Sequence, residues 1–219
     1  MFTVHIHMSV KIHDDKIWLD ESAKLRGICR EARDLLERHW DVLILAHFEK
    51  ELSTVSEALS AAGIAHHRYS GLDESVWASE SVEKTPPSVA IGLAQVFCQR
   101  TAATTKAKDR RLSIVVAEHH PLRDRDERIQ EAAQSLPGET NVCFHAALTD
   151  PLLVHFGSEQ IGGLVRQLGM DEVTSLSNSL IGTAIRRSQE KIAKLVHSEV
   201  PTLSAKDWFK YNLPNRAKN

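Results

Sequence analysis

The segment "DVLILAH", residues 41–47, is the clearest indication of the fold, because its side chains are apolar at nearly every position. A strand with one solvent-facing side alternates apolar and polar residues, whereas a strand covered on both faces is apolar throughout. The segments "LSIVVAE" (112–118) and "NVCFHA" (141–146) have the same character. These three segments therefore predict central strands of a parallel sheet that has helices on both faces.

Helical patterns separate these strands. After Asp20, which suits a helix cap, apolar residues recur at helical spacing, and Gly63 marks the end of a second helix. The segment "HDD" (13–15) predicts a turn between two strands at the start of the chain. The alternation of strand and helix predicts an open, mostly parallel α/β sheet over residues 1–148. The remaining predicted strands are 2–12, 16–19, 64–69 and 88–93, and the remaining predicted helices are 94–106 and 121–135.

The pattern after residue 148 is helical and shows no further strand. We expect a helical extension over residues 149–197 and an irregular tail over residues 198–219. The segment "NSLIGTAIRRSQEKIAKLVH" (178–197) predicts a helix with an apolar stripe, which requires burial on the sheet domain or in another subunit. This interaction stripe consists of Leu180, Ala184, Ile185, Ile192 and Leu195.

The composition is that of a globular protein without a general affinity for polyanions. Hydrophobic residues make up 42% of the 219 residues, and the formal net charge is −2. We therefore do not expect nucleic-acid binding. No apolar run approaches the ~20 residues that cross a bilayer, and the start lacks the layout of a signal peptide. Three cysteines without C-x-x-C spacing fit a reducing compartment, so a cytoplasmic location is expected.

Four motifs follow one another in the second half: "VVAEHH", "FHAALTDPLL", "LGM" and "AIRRSQEK". In order and spacing they resemble the SecA preprotein translocase motor, in its second RecA-like nucleotide-binding domain and the start of its helical scaffold. The first half is similar more loosely, so the resemblance covers about residues 18–196. It implies a RecA-like fold of the helicase C-terminal type and a link to protein transport. The matching residues are Glu118, His120, Phe144, Asp150, Leu152, Leu168, Gly169, Met170, Ala184, Ile185, Gln189 and Lys191.

The nucleotide motifs of that family are altered in this chain. The family's three arginines, which neutralise charge at the γ-phosphate, fall on Gln130, Ala132 and Ser135 of "ERIQEAAQSLPGE" (127–139). A glycine-rich motif of the family falls on residues 97–101, which read Phe-Cys-Gln-Arg-Thr, and no G-x-x-x-x-G-K-[ST] phosphate loop occurs. Loss of an arginine finger typically costs ~10³ to 10⁵ in rate. We therefore expect a degenerate ATPase domain with no required cofactor and at most weak binding of ATP or ADP.

Titratable side chains follow two of the central strands. Ligands of open α/β sheets bind at the carboxyl ends of the strands, so these side chains are candidates to face a ligand. The pattern fits an acid–base pocket or a surface cleft left over from a lost activity. The candidates are His47, Glu49, Glu118, His119, Arg123 and Arg125.

Three histidines near the start raise the question of a metal. His5 and His7 would point to one face of a strand, and His13 could join them across the turn. No cysteine or carboxylate has matching spacing, so a solvated strand face is the preferred interpretation and no metal is expected.

These features favour a noncatalytic, SecA-like domain that acts as a protein-interaction module. The expected partner is a protein, either a phosphate-loop motor subunit or a second copy of the chain. A first alternative is a subunit that completes a nucleotide-dependent motor in trans. A second alternative is a small-molecule or metal-dependent hydrolase that uses the histidines at the strand ends.

Overall fold

The computed structural model describes residues 9–71, 86–100, 111–136, 138–156, 174–177 and 179–213. Within them, strands and helices alternate through the first two thirds of the chain. The strands are β1 (Ser9–Ile12), β2 (Lys16–Trp18), β3 (Asp41–Ala46), β4 (His67–Arg68), β5 (Val89–Leu93), β6 (Arg111–Val116), β7 (Glu139–Ala147) and β8 (Leu176–Ser177). The helices are α1 (Glu21–Glu37), α2 (Glu49–Ala61), α3 (Ala94–Arg100), α4 (Arg123–Gln134), α5 (Pro151–Phe156), α6 (Ser179–Ala193) and α7 (Ala205–Asn212).

The described strands form one sheet in the order β4-β5-β3-β6-β7-β2-β8, and β1 also pairs with β7. All of these pairs are parallel except that of β2 with β8. Parallel neighbours need crossover connections, and the helices that lie between the strands provide them. The predicted α/β fold with a mostly parallel sheet is confirmed.

The apolar segment at residues 41–46 forms β3, which lies inside the sheet. All six residues of β3 are buried, between β5 and β6. Leu43 and Leu45 pack with α4 on one face, whereas Val42 and Ile44 pack with α1 and α2 on the other. Burial on both faces is what a continuous apolar strand requires, so helices cover both sides of the sheet.

The expected turn at residues 13–15 is wrong. Both β1 and β2 run parallel to β7, with Ile12 beside Val142 and Lys16 beside His145. Residues 13–15 therefore lie opposite only two residues of β7, 143 and 144. This arrangement is a bulge in one interrupted edge strand and not a reversal of the chain. Since β7 is nine residues long, both short strands can pair with it in succession.

The C-terminal part departs from the expected pattern in two places. Strand β8 lies in the segment for which only helices were predicted. The irregular tail predicted for residues 198–219 is wrong over α7, where the Ser204 side chain caps the helix by accepting from the Asp207 amide at 3.1 Å. Trp208 and Phe209 of α7 are buried, so apolar packing holds this helix in place.

The interaction stripe packs against the chain itself. Ile185 and Ile192 of α6 are buried with Trp208 and Phe209, while Leu195 is 38% exposed. Ala184 is half-buried beside the same cluster, and the side chain of Leu180 lies outside the described residues. Of the two expected ways to bury the stripe, on the chain itself or in another subunit, the structure shows the first for Ile185 and Ile192. Within the described part, no helix combines the length and hydrophobicity needed to span a membrane.

Candidate functional site

A buried aspartate gathers the groups at the carboxyl ends of β3 and β6. Asp126, in the first turn of α4, accepts hydrogen bonds from His47 Nε2 at 2.9 Å and from His119 Nδ1 at 2.8 Å. It also accepts from the His120 amide at 3.0 Å and from Gln189 Nε2 at 2.7 Å. Asp126 is only 5% exposed, so these four donors replace the water that a carboxylate requires.

The four donors arise from three parts of the fold. His47 follows β3, His119 and His120 follow β6, and Gln189 lies on α6. Gln189 also donates to the backbone oxygen of His120 at 2.8 Å. Burial opposes a charge on Asp126, but the charge of His119 and its hydrogen bond hold the pKa of Asp126 well below its usual value. The Asp126 cluster thus joins the helical extension to the sheet.

His119 and His120 are neighbours with opposite charge preferences. Burial alone would lower the pKa of His119, but the negative charges of Asp126 and Asp15 raise it to about 10. The ring of His119 stacks on Phe144 with the centroids 4.7 Å apart. Burial and the neighbouring His47 lower the pKa of His120 well below its usual value, and its ring stacks on Phe48. His119 is therefore the cation of the pair, and His120 packs as a neutral ring.

A second buried charged group lies beside the first. Lys24 of α1 donates to Asp150 at 2.7 Å, and Glu118 accepts from the His47 amide at 3.1 Å. Burial and the nearby Glu51 raise the pKa of Glu118 well above its usual value, while Lys24 offsets part of this effect. The adjoining cavity has a volume of about 10 Å³, roughly the space of one water molecule. Lys24, Asp150 and Glu118 therefore supply packing and charge balance. The cavity beside them has no room for a small-molecule substrate.

A larger cleft of about 240 Å³ opens between the bulge at residues 13–15, helix α4 and helix α6. Of the three positions that match the family's arginines, Gln130 lines this cleft. Ala132 is instead buried in the core, and Ser135 Oγ donates to the Ala132 backbone oxygen at 2.7 Å. The other residues that line the cleft are Ile12, His13, Asp14, Asp15, His119, Arg123, Asp126, Glu127, Phe144, Gly182, Ile185, Arg186 and Gln189.

The remaining candidates do not all join the Asp126 cluster. Glu49 accepts two hydrogen bonds from Arg68 on the surface. Arg123 pairs with Glu127 at 2.8 Å and with Glu190 at 3.3 Å, and Arg125 pairs with Glu199 at 2.5 Å. His13 is half-buried in the cleft. His5 and His7 lie outside the described residues.

Sequence reasoning brought His47, Glu118 and His119 to one edge of the sheet but missed Asp126, which accepts from the side chains of His47 and His119. Asp126 resembles an ordinary acidic residue in a first helical turn. The signal that marks it is its spacing, since Asp126 lies three residues before Ile129 and seven before Ala133 on the buried face of α4. An acid on an apolar helix face indicates a buried partner.

Glu31, Cys143 and His145 place one ligand-type atom each within 4.8 Å of one another. Trp18 Nε1 donates to His145 Nδ1 at 3.0 Å, so the neutral ring carries its proton on Nε2 and donates it to Glu31 at 2.8 Å. The nitrogen that faces this group therefore offers no lone pair. Burial also raises the pKa of the Cys143 thiol to about 12, which disfavours the thiolate that a metal binds.

The chain is similar to SecA proteins from several bacteria, although no family model matches it. It is 26% identical over 185 residues to the protein translocase subunit SecA of Caldicellulosiruptor saccharolyticus. That alignment covers 82% of this chain and 22% of the SecA protein. For SecA of Clostridium beijerinckii, the identity is 24% over 193 residues, 86% of this chain and 22% of that protein. The chain thus spans about a fifth of the length of the SecA proteins that it matches.

Two solved structures match the chain at low TM-scores. The C-terminal part of the Fun30 ATPase domain matches with a TM-score of 0.43 and 12% identity, over 78% of this chain and 54% of that one. The Pyrococcus furiosus Hef helicase domain matches with a TM-score of 0.40 and 12% identity, over 57% and 25% of the two chains. In sequence, the resemblance that the motifs indicated is confirmed: the chain is similar to the SecA translocase subunit over about four fifths of its own length.

Proposed function

We propose that this chain is a noncatalytic relative of the second SecA motor domain and acts as a protein-interaction module. The observation that carries the proposal is the fate of the three arginine positions of the family. Ala132 lies in the core at 9% exposure, where a guanidinium would be buried without an anion. Gln130 faces the cleft with an uncharged amide, which cannot neutralise a phosphate.

The arginines nearby do not compensate for those losses. Arg125 is held by Glu199, and Arg123 by Glu127 and Glu190. A polyphosphate would have to displace these carboxylates before either cation could bind it. Without an arginine finger, the barrier to phosphoryl transfer is roughly 4–7 kcal/mol higher, which corresponds to the ~10³ to 10⁵ in rate that such a residue provides.

Support for a binding role comes from apolar side chains exposed on the C-terminal part of the chain. Val154 is 52% exposed, Val200 50%, Leu203 71% and Tyr211 58%. These four residues, the C-terminal apolar surface, lie on α5, on α7 and in the segment that leads to α7. Exposed apolar side chains in this part of the chain are candidates for contact with another protein. The related SecA proteins are translocase subunits, so a translocase motor is the partner that we infer.

Sedimentation velocity tests this function directly. The chain would be run alone and with a SecA motor protein, in the native form and as the double variant Leu203→Asp, Tyr211→Asp. We expect a complex with the native chain and a weaker one with the variant, because a charge on each exposed apolar residue opposes burial. The matched control is Lys206→Asp, which changes an exposed charged residue on α7.

The same mixtures distinguish the two motor-related functions. If the chain completed an ATPase in trans, phosphate release by the mixture would exceed the sum of the two separate rates, which would favour the alternative over our proposal. If the chain associated with neither SecA nor itself at tens of micromolar, an interaction role would be contradicted.

A further inference from the structure

The buried charged group of Lys24, Asp150 and Glu118 extends to a third carboxyl group, that of Glu51 on α2. Glu51 Oε1 accepts a hydrogen bond from the Ala205 amide of α7 at 3.3 Å, whereas Oε2 is buried and has no hydrogen-bond partner among the described residues. After burial, the charge of Glu51 is the main reason why the pKa of Glu118 is raised. A buried carboxylate oxygen without a donor is costly, so this atom points to a bound proton.

Carboxyl groups outnumber cations in this part of the core. Lys24 is the buried cation, and it donates to Asp150 at 2.7 Å. If every side chain were ionised, one positive charge would face three negative charges, those of Asp150, Glu118 and Glu51. Because Asp150 takes the direct contact with Lys24, the two glutamates are left without a counter-charge of their own. A proton supplies one.

The surrounding elements do not neutralise the two glutamates in another way. Lys50 of α2 is exposed, and the charge of His119 is balanced by Asp126. Helices α5, α6 and α7 line the cavity beside Glu118 with apolar side chains. The titratable side chains around Glu118 and Glu51 are Glu21, Lys24, His47, Lys50, His119, Asp126 and Asp150.

Glu51 also lies where the start of α2 meets the start of α7. The Lys50 amide donates to the Leu203 backbone oxygen at 3.0 Å, and the Ala205 amide donates to Glu51 Oε1. Phe48, the N-cap residue of α2, offers no side-chain cap, so the Leu203 carbonyl satisfies one of the free amides of that helix. These two hydrogen bonds fasten α7 to α2, and one of them depends on where the Glu51 carboxyl points.

We propose that Glu118 and Glu51 hold one proton between them and that loss of this proton loosens the start of α7. Once Glu118 is ionised, it repels Glu51, whose half-buried carboxyl turns to solvent and leaves the Ala205 amide without its acceptor. Leu203 and Tyr211 belong to the same C-terminal segment, so the proton also sets the position of part of the C-terminal apolar surface. That consequence rests on the proposed function, whereas the titration is measured on the chain alone.

The direction of the effect follows from the raised pKa of Glu118. Such a carboxyl contributes stability that is fully present below the unfolded value of ~4.3 and is lost as the pH rises through the folded value. Helix α7 should therefore be held more tightly in acid than in base. For one linked proton, the equilibrium constant for opening α7 rises by at most ~10-fold per pH unit over this range.

Hydrogen exchange of the purified chain from pH 5 to pH 9, with each rate divided by its intrinsic rate, measures the opening of α7. The variant Glu118→Gln keeps an acceptor for the His47 amide but cannot ionise, so it represents the protonated form. Glu49→Gln is the matched control, because Glu49 is an exposed glutamate on α2 that pairs with Arg68. Amides of β3 serve as the internal reference.

We expect protection of the α7 amides to fall by at least ~10-fold between pH 5 and pH 9 in the native chain and in Glu49→Gln, and to stay constant in Glu118→Gln. Protection that does not change with pH in the native chain would overturn the proposal. A Glu118→Gln protein that follows the native pH dependence would overturn it as well.

Carbon-detected NMR of the native chain gives a second measurement that does not depend on the folding of any variant. One glutamate carboxyl should titrate above the range of the exposed glutamates, and its signal should belong to Glu118 or Glu51. If all glutamate carboxyls titrated together near the ordinary value of ~4.3, the two residues would not hold a proton and the proposal would be wrong.

Discussion

At the scale of single residues, Asp126 is the group on which the strand-end arrangement depends. Two imidazoles, a backbone amide and a side-chain amide donate to its two oxygens. Such a cluster is stable only when every member is satisfied, because a buried polar group without a partner costs more than the net gain of the hydrogen bond. The cluster lies at the carboxyl ends of β3 and β6, the edge at which open α/β sheets bind ligands.

We expect Asp126→Asn to destabilise the fold by about 3–5 kcal/mol, because its amide would point a donor at donors and leave the His119 cation unpaired. Urea unfolding at pH 7 measures the change. Asp124→Asn is the matched control on the exposed face of α4, where Asp124 pairs with Arg128 at 3.3 Å, and it should cost no more than about 1 kcal/mol. A loss below ~1 kcal/mol for Asp126→Asn would refute the role of the cluster.

Glu31 gives a pH-dependent prediction at the same scale. Burial opposes its charge, but His145 and Lys16 lower the pKa of Glu31 to about 2. A lowered acid pKa contributes stability above the unfolded value of ~4.3, and this contribution is lost as the pH falls towards 2. The free energy of unfolding of the native protein should therefore exceed that of Glu31→Gln by about 3 kcal/mol at pH 7, and the difference should shrink to about 1 kcal/mol at pH 2.5.

Urea unfolding of both proteins from pH 7 down to pH 2.5 measures this difference. Glu37→Gln, at an exposed position on the same helix α1, serves as the control and should track the native curve. A gap between native and Glu31→Gln protein that stays constant over the whole range would show that the carboxylate charge does not carry the effect.

At the scale of elements, α6 is fastened to the sheet domain by one polar contact and one apolar face. Gln189 reaches His120 and Asp126, while Ile185 and Ile192 enter the C-terminal core. The apolar stripe was readable from helical spacing, and its burial within the chain was one of two options that the sequence left open. Gln189 matches the family motif in sequence. Its contacts with His120 and Asp126 could not be predicted, because residue spacing along a helix does not show which distant residues it meets.

We predict that Gln189→Glu releases α6 from the sheet domain, because a second carboxylate would face Asp126 and repel it. Hydrogen exchange should show protection of α6 amides reduced by roughly 2–3 kcal/mol, with β3 and β6 unchanged. Arg187→Gln, an exposed neighbour on α6, should leave the exchange pattern as it is. Equal protection of α6 in the two variants would contradict this anchoring role.

At the scale of the whole molecule, the sequence predicted the sheet more fully than the site. Continuous apolar runs such as residues 41–46 have one stable environment, a strand covered on both faces, and the structure places β3 there. Helix α7 was missed because eight residues show little periodicity, although Ser204 and Asp207 form a capping pair that could have revealed it. The bulge at residues 13–15 was missed because pairing with β7 is a long-range property.

The chain is similar to SecA in sequence, and the positions that match the family's three arginines are Gln130, Ala132 and Ser135. The sheet is mostly parallel, and groups of the chain itself satisfy Asp126 at the strand ends. Nothing in that arrangement requires a nucleotide for stability, since Asp126 receives four internal donors. The chain should therefore fold and bind its partner without ATP.

Isothermal titration of the purified chain with Mg²⁺-ATP, followed by a phosphate-release assay on the same sample, measures whether this domain binds and hydrolyses ATP. We predict no saturable heat below 1 mM nucleotide and no phosphate release above that of a protein-free blank. A 1:1 complex in the micromolar range that hydrolyses ATP, and that Arg123→Gln or Arg125→Gln abolishes, would contradict the claim that this domain is noncatalytic.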